Sequence, residues 1–237
     1  MKNFLLPVTT DGEIDFAYME NYIRELEAAR VRELEAYLKV TRLSDYKLTD
    51  DDLQFMRSEI KYKNFQIGKL FDIFTGRDVI IGRTSEGSIP LISHQHDDNG
   101  ISKFINRLND RVLFNAKETI ALADRGVFWA SVQNQDFYIG TRVKALVFKD
   151  GVKSREIRLF FVTAINKLQI LFTDYLTNAT DTLPDLEINL PVDNNGNPDY
   201  EYMTRFILIQ QKLAIKNVAE WKDRELNAYR AVITKFN

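Results

Sequence analysis

The sequence predicts an α+β protein: one mixed α and β domain flanked by two long amphipathic helices that pair as an antiparallel coiled coil. Three observations carry that expectation. The segment LPVTTDGEIDFAYM at residues 6–19 returns as LPVDNNGNPDYEYM at residues 190–203, with Leu, Pro, Val, Gly, Asp, Tyr and Met in register at an offset of 184 positions. Each copy runs into a stretch whose apolar residues recur every three or four positions, the period of a one-sided helix. Between the two, the texture changes to short apolar or alternating runs separated by Gly and polar turns, the pattern of strands. The boundaries that follow are 1–60 for an N-terminal helical region, 61–187 for the middle domain and 188–237 for a C-terminal helical region.

In each copy of the repeat an extended Leu-Pro-Val segment meets a turn, Asp11-Gly12 or Asn195-Gly196. An Asp then stands where a short polar side chain caps the free N–H groups of a helix start, Asp15 or Asp199. Helix one, to about residue 40, places Met19, Ile23, Leu26, Leu34 and Leu38 on one stripe; helix two does so with Met203, Phe206, Ile207, Leu213, Ala214, Val218 and Trp221. RELEAYLKV (32–40) and RELNAYRAV (224–232) match again at an offset of 192, so the second helix holds eight more residues, slightly over two turns. Helices this long and one-sided need a partner, found in each other or in a second chain; the alternative is that each packs on its own globular domain.

Thr49, three residues before Asp52, gives a capping-box start to a short helix. From Phe65 onward IGKLFDIFTG, SIPLIS, TIALAD, GVFWASV and RVKALVFK read as strands, and residues 155–176 read at helical period. Phe65, Phe71, Phe74 and Phe114 fall at apolar positions of these runs and are expected in the core.

Composition excludes several classes. Of 237 residues, 45% are apolar and 28% charged, an ordinary globular balance. There is no run of about 18 uncharged apolar residues to span a bilayer, and the N-terminal apolar stretch is too short for a secretory signal. With no Cys, disulfides and thiolate metal sites are excluded, which suits a reducing compartment and makes a cytoplasmic location the expectation. The net charge of −2 hides an uneven distribution: 8 basic against 13 acidic residues in 1–60, 17 against 15 in 61–187, and 7 against 6 in 188–237. A middle domain this rich in Lys and Arg is compatible with nucleic acid.

Three polar clusters are candidate sites. SHQHDDNG (93–100) gathers both His residues, His94 and His96, beside Gln95, Asp97, Asp98 and Asn99. Its HxHxD spacing fits a metal-dependent hydrolase, but a catalytic zinc normally takes a third protein ligand, which only a distant carboxylate could supply here. The other readings are a solvated turn between strands and a base-reading loop, since Gln, Asn and His carry the donor–acceptor pairs that distinguish base edges. SVQNQDFY (131–138) puts Gln133, Asn134 and Gln135 on a hairpin-like loop near Trp129 and Tyr138, and LTNATD (176–181) supplies Thr177, Asn178 and Thr180. Arg77, Arg83, Lys103, Arg107 and Arg125 lie near turns of the same domain, where they can hold phosphates or simply be solvated. No phosphate-cradling GxxxxGK[ST] loop, no GxGxxG turn and no Asn-Pro-Pro-Tyr-like segment occurs, and no convincing catalytic set is present.

In order, FQIGKLFDIFTGRD, GSIPLISHQHDDNGISKFI, TIALADRGVFWASVQNQDFYIGTRVKALVFK and FTDYLTNATDTLPDLEINLPVDNNGNPDYEYM resemble the specificity (S) subunits of type I restriction–modification systems. Those subunits alternate target recognition domains with long conserved helices and commonly carry two such domains. The resemblance implies a half-subunit here: residues 61–187 as a single target recognition domain, residues 6–19 as the tail that closes such a domain. It implies a non-catalytic DNA-recognition role on double-stranded DNA, with the helices pairing to a second copy, so that the site is bipartite and palindromic. Methyltransferase subunits, which bind S-adenosylmethionine, and a restriction subunit are the implied partners; no cofactor is implied in this chain, and no membrane. The chain departs from the family at YLTNATD (175–181), where a Tyr-Gly-x-Lys-Ala type sequence is usual, so no basic residue carries over there. The rival readings are a recognition subunit serving a fused nuclease–methyltransferase of type II, a hydrolase using His94 and His96, and a coiled-coil adaptor that no longer binds DNA.

Overall fold

A computed structural model describes residues 5–40, 46–172 and 181–235, with side chains through residue 224. The chain divides into two compact units, residues 56–208 and a second made of residues up to 55 together with those from 209 on.

The middle unit is built on a four-stranded antiparallel sheet in the order β2 (Phe71–Thr75), β8 (Val143–Phe148), β5 (Thr119–Asp124), β6 (Phe128–Ser131). TIALAD of β5 is buried along its whole length, and its alternation explains why. Ile120 and Leu122 face one core together with Leu146 and Phe148 of β8; Ala121 faces a second core with Val143 and Ala145. A strand covered on both faces reads as a continuous apolar run, and small alanines on one face let the covering layer come close.

The first core is closed by α4 (Arg155–Asn166), capped by Ser154, whose Oγ accepts the Ile157 N–H at 3.3 Å. Phe161 meets Phe148 edge-on at 5.0 Å and Phe71 at 5.7 Å between ring centroids, geometries that suit the aromatic quadrupole. The α-helix stops at Asn166, earlier than periodicity alone suggests, and continues as a 3-10 turn through Phe172. The side-chain amide of Asn166 caps the open edge of β6, accepting the Ala130 N–H at 2.7 Å and donating to the Ala130 carbonyl at 3.1 Å.

The second core is covered by a three-stranded sheet in the order β4 (Ile101–Ile105), β3 (Glu86–Ile92), β7 (Tyr138–Ile139), with β3 and β7 parallel. Of the four phenylalanines expected inside, Phe71 and Phe114 are buried and Phe65 is partly buried. Phe74 is 45% exposed at the outer strand β2, an exception to the core assignment.

A two-stranded ribbon of β1 (Tyr62–Gln66), followed by the single turn α3 (Ile67–Leu70), and β9 (Glu187–Pro191) brings the second copy of the repeat into this unit. Leu190 and Met203 are fully buried in the first core, and Tyr200, Phe206 and Ile207 pack against it. Residues 188–208, grouped by the sequence with the C-terminal helix, therefore close the middle unit. α5 (Tyr200–Lys235) starts there and runs on into the other unit, about 54 Å at 1.5 Å per residue.

The second unit contains α1 (Phe16–Val40) and most of α2 (Asp50–Arg57). The capping box is reciprocal: the Asp52 N–H donates to Thr49 Oγ1 at 3.1 Å and the Thr49 N–H to Asp52 Oδ2 at 3.2 Å. Asp52 also takes Lys212 Nζ at 3.0 Å, and the Tyr46 hydroxyl donates to Asp223 at 2.8 Å, so α5 is tied to the segment that follows α1. On α1, Val31 and Leu38 are buried, Met19 and Leu34 half-buried, Ile23 and Leu26 exposed; on α5, Ile209 and Ala219 are buried while Ala214, Val218 and Trp221 are exposed. The stripe expected on α5 thus splits: Met203 and Ile207 belong to the middle core, and Ala214, Val218 and Trp221 face outward.

The two copies of the repeat fold alike. Each makes a small hairpin bridged at Val8–Ile14 or Val192–Pro198, turning through Gly12 or Gly196 at φ +82° and +79°, a conformation glycine adopts without strain. Asp15 and Asp199 each accept the N–H three residues on, Tyr18 and Tyr202, at 2.8 Å.

Candidate nucleic-acid interface

The loop after β3 is built from the main chain outward. Ser93 N–H donates to the Gly100 carbonyl at 2.8 Å, closing the loop, and Asp98, Asn99 and Gly100 take three successive positive φ values, 48°, 57° and 81°. Asn and Asp tolerate that region better than other side chains, and glycine best. The Gln95 side chain turns back to the Ile101 carbonyl at 3.0 Å. His94 and His96 stay exposed, with His96 Nε2 at 3.5 Å from Asp97 Oδ1 and its ring edge-on to Trp129 at 6.4 Å. Among the described residues no group of three or more His, Asp or Glu side chains is arranged to hold a metal ion.

The structure brings this loop together with the second polar cluster. Asn99 Nδ2 donates to the Val132 carbonyl at 2.7 Å, and Gln133 Nε2 donates to the Asn99 carbonyl at 2.9 Å and to Ser131 Oγ at 3.0 Å. Gln133, expected on an open hairpin loop, is 2% exposed: it is a strut between loops, with its amide engaged. Gln135 is exposed and donates to the Ser88 carbonyl at 2.7 Å, and Asn134 is exposed between them. Asn178 and Thr180, with Thr177, lie outside the described residues.

The basic candidates fall into two groups. Lys103, half-buried, donates to the carbonyls of Thr84 at 2.9 Å and Ile81 at 3.5 Å, holding the 3-10 turn that presents Arg83 to solvent. Arg77 and Arg125 share one end of the four-stranded sheet. Gly76 N–H donates to the Val143 carbonyl at 2.9 Å and Asp124 N–H to the Arg142 carbonyl at 3.2 Å, so Arg77, Arg125 and Arg142 each stand at or beside a bonded main-chain group. All three are exposed. Arg77 also lines a cleft of about 500 Å³ with Phe74, Asn109, Arg111 and Val112. Directly behind this end, Lys144 Nζ lies 3.4 Å from Asp124 Oδ2 and donates to Thr75 Oγ1 at 3.0 Å, a buried pair that carries hydrogen bonds besides its charge.

Two further arginines, Arg142 and Arg158, are not among the residues that the sequence motifs single out. Arg142 joins Arg77 and Arg125 only through strand pairing. Arg158 had a readable signal: it sits three residues before Phe161 and seven before Ile165, on the buried stripe of α4. Its guanidinium donates to the carbonyls of Ala116 at 2.6 Å and Gln133 at 3.3 Å, fastening the second loop from behind. Burial holds its pKa below the usual arginine value.

A family model, the type I restriction modification DNA specificity domain, matches residues 59–220. The chain belongs to this family. The specificity subunit S.BcgI of a type II restriction enzyme from Heyndrickxia coagulans is 24% identical over 225 residues, covering 91% of this chain and 60% of that subunit. Among solved structures, the S subunit of the type I system of M. genitalium aligns over 91% of this chain and 52% of its own at 15% identity and TM-score 0.47. The HsdS subunit of Thermoanaerobacter tengcongensis aligns over 88% and 50% at 16% identity and TM-score 0.48. The chain thus spans about half to three fifths of the specificity subunits it matches. Family membership makes the linked loops of residues 93–100 and 131–135 part of a DNA specificity domain, and among the described residues no helix is long and apolar enough to cross a membrane.

Proposed function

We propose that the chain is the sequence-reading subunit of a DNA restriction–modification assembly, with residues 61–208 contacting one half of a bipartite site. The observation that carries this reading is that the domain matched by the family model is also the one that presents two polar loops cross-linked into a single rigid surface. On that surface His94, His96, Asn134 and Gln135 present side chains for base edges, and Gln95, Asn99 and Gln133 hold the loops; Arg83 contacts phosphate, as do Arg77, Arg125 and Arg142, which stand at the opposite end of β6 from residues 132–135. Lys103 positions Arg83. Side-chain amides and imidazoles on a short, stiff loop suit the donor–acceptor pattern of a major groove.

A bipartite site needs a second recognition domain. A second copy joined through α1 and α5, whose Ala214, Val218 and Trp221 are exposed, would read an interrupted palindrome, its spacing set by helix length. Methyltransferase subunits carrying S-adenosylmethionine, and then a restriction subunit, dock on the helical region and supply the chemistry. The match to a type II specificity subunit favours a second version of the same role, in which one fused nuclease–methyltransferase is the partner. Selection of DNA from a random pool by the chain with its modifying partner tests the proposal. A recovered two-part motif whose binding falls steeply with salt supports it; recovery of no motif sinks it. A solution mass that stays monomeric at all concentrations removes the second-copy version.

A further inference from the structure

We infer that the cleft at the end of β2, lined by Phe74, Arg77, Asn109, Arg111 and Phe114, is a binding site for a single nucleotide, its base laid on Phe74 and its phosphate held by Arg77. The existence of the site rests on the cleft itself; only the supply of that nucleotide from bound DNA rests on the DNA-reading role.

Strand β2 leaves an aromatic ring half bare. Phe71 and Ile73 pack in the first core. Phe74 stands on the other face of the strand, at the rim of the second core, with its ring 5.7 Å from that of Phe114 and tilted by 55°. Phe114 is buried at this contact, whereas Phe74 stays open to the cleft. A phenylalanine so placed gains only part of the stabilisation that full burial gives, and it offers a flat apolar surface.

The walls around that ring are fixed. Gly76 approaches Gly140 so closely that a Cβ on Gly76 would lie 1.9 Å from the Gly140 carbonyl oxygen, which makes this side of the cleft main chain. Arg111 donates through Nη2 to the Asp78 carbonyl at 3.1 Å and through Nη1 to the Asp110 carbonyl at 3.0 Å and to the Asp110 carboxylate. Thr141 Oγ1 donates to Asp78 Oδ1 at 3.2 Å, securing the same loop from the other side. Arg111 Nε is buried without an acceptor among the described residues, and such a donor marks a wall that a ligand or solvent oxygen completes. By contrast, the Asn109 amide and the Arg77 guanidinium are exposed and have no hydrogen bond or ion pair among the described residues.

Three unengaged groups of different chemistry therefore meet around one cleft of about 500 Å³, a size usual for small-molecule sites. An aromatic face takes a flat ring. An amide offers a donor and an acceptor together, the pair that a base edge requires. A free guanidinium takes a phosphate through paired N–H groups. A simple anion would leave Phe74 without a role, and an apolar ligand would strand Arg77 and Asn109. A nucleotide uses all three. The same end of the sheet carries the exposed Arg125 and Arg142, the latter at φ +65°, a conformation uncommon for a residue with a side chain. A duplex whose phosphates lie along these arginines has its backbone at the mouth of the cleft, where one nucleotide turned out of the stack can enter.

Two measurements on the full chain test the site and its source. In the first, NMR titrations use deoxyadenosine monophosphate, deoxyadenosine and inorganic phosphate. The monophosphate should bind more tightly than either part alone. Phe74→Leu should weaken it by about fivefold or more, Phe74→Tyr should keep it, and Arg77→Ala should reduce it to the affinity of deoxyadenosine. Melting points confirm that each variant is folded; if Phe74→Leu is not, Arg77→Ala decides, because Arg77 has no partner to lose. In the second, the DNA site recovered by selection is prepared with a mismatch at each position in turn. A nucleotide supplied by DNA predicts one position where the mismatch tightens binding to the parent but not to Phe74→Leu, since the pair is already broken. Monophosphate binding without such a position makes a free nucleotide the occupant. A chain that binds no monophosphate and shows no such position overturns the inference, as does binding unchanged in both Phe74→Leu and Arg77→Ala. Monophosphate binding with no recovered DNA motif sinks the DNA-reading role and leaves the site standing.

Discussion

The side-chain amide of Gln133 donates to the main-chain carbonyl of Asn99 at 2.9 Å, joining two loops that lie 34 positions apart. Because Gln133 is buried, its removal leaves a main-chain acceptor and Ser131 Oγ short of a partner. Gln133→Leu is expected to destabilise the domain by about 1–3 kcal/mol, read as a lower urea midpoint. Asn134→Ala, one residue on and exposed, should leave stability within about 0.5 kcal/mol and lower affinity for the selected site alone. If Gln133→Leu leaves stability unchanged, the strut role is wrong.

Arg77, Arg125 and Arg142 share one end of the four-stranded sheet, and each is expected to act on the phosphate backbone. Arg77→Ala and Arg125→Ala should weaken binding to selected and unrelated DNA by similar factors. Each should reduce the slope of log affinity against log salt by about 1. A change confined to one base position would mean that the arginine reads sequence instead.

The seam around the second copy of the repeat is expected to fail in alkali. Burial, then the hydrogen bond to Asp150, raises the Tyr200 pKa; burial, then the neighbouring Tyr62, pushes Tyr202 up to about 12. A raised folded value means that the contribution is fully present below the unfolded tyrosine value near 10 and is lost as pH rises from there through about 12. Urea midpoints should therefore fall between pH 10 and 12. The double variant Tyr200→Phe, Tyr202→Phe should flatten that fall; an unchanged profile would place its origin elsewhere.

In the helical unit the sign is opposite. The hydrogen bond from Lys212, then that from the Thr49 N–H, holds Asp52 below the usual carboxylate value. This contribution is present above the unfolded value of about 3.9 and is lost as pH falls through the lower folded one. Lys212→Met should move the Asp52 titration upward when followed by carboxyl NMR shifts. A titration that stays where it was would show that Thr49 alone sets it.

The features legible in the sequence were those fixed within a few residues. Asp15, Asp199 and the Thr49–Asp52 pair cap helices through contacts three positions away, and the Gly12 and Gly196 turns are as local. The double-sided burial of TIALAD was visible as an apolar run. Hidden were features set by distant neighbours. Gln133 looks like any loop glutamine until Asn99 and Arg158 are brought against it, Asn166 looks like one more helical residue until β6 presents an open edge, and Met203 falls on the same period as Trp221 although the two face different surroundings. Periodicity reports that a side has a partner; it does not say which one.

The fixed frame of the loop at residues 93–100 has a consequence for altering target choice. Its path is secured by the Ser93–Gly100 main-chain bond, by the left-handed run at residues 98–100 and by the Asn99–Gln133 clasp, none of which uses the side chains of His94, His96 or Asp97. Those three positions, with Asn134, can be randomised together without removing any of these bonds, whereas varying Asn99 or Gln133 removes the clasp. On the proposed reading, the side chains that face the bases are separate from those that hold the loop, which would make the domain a scaffold for new DNA specificities.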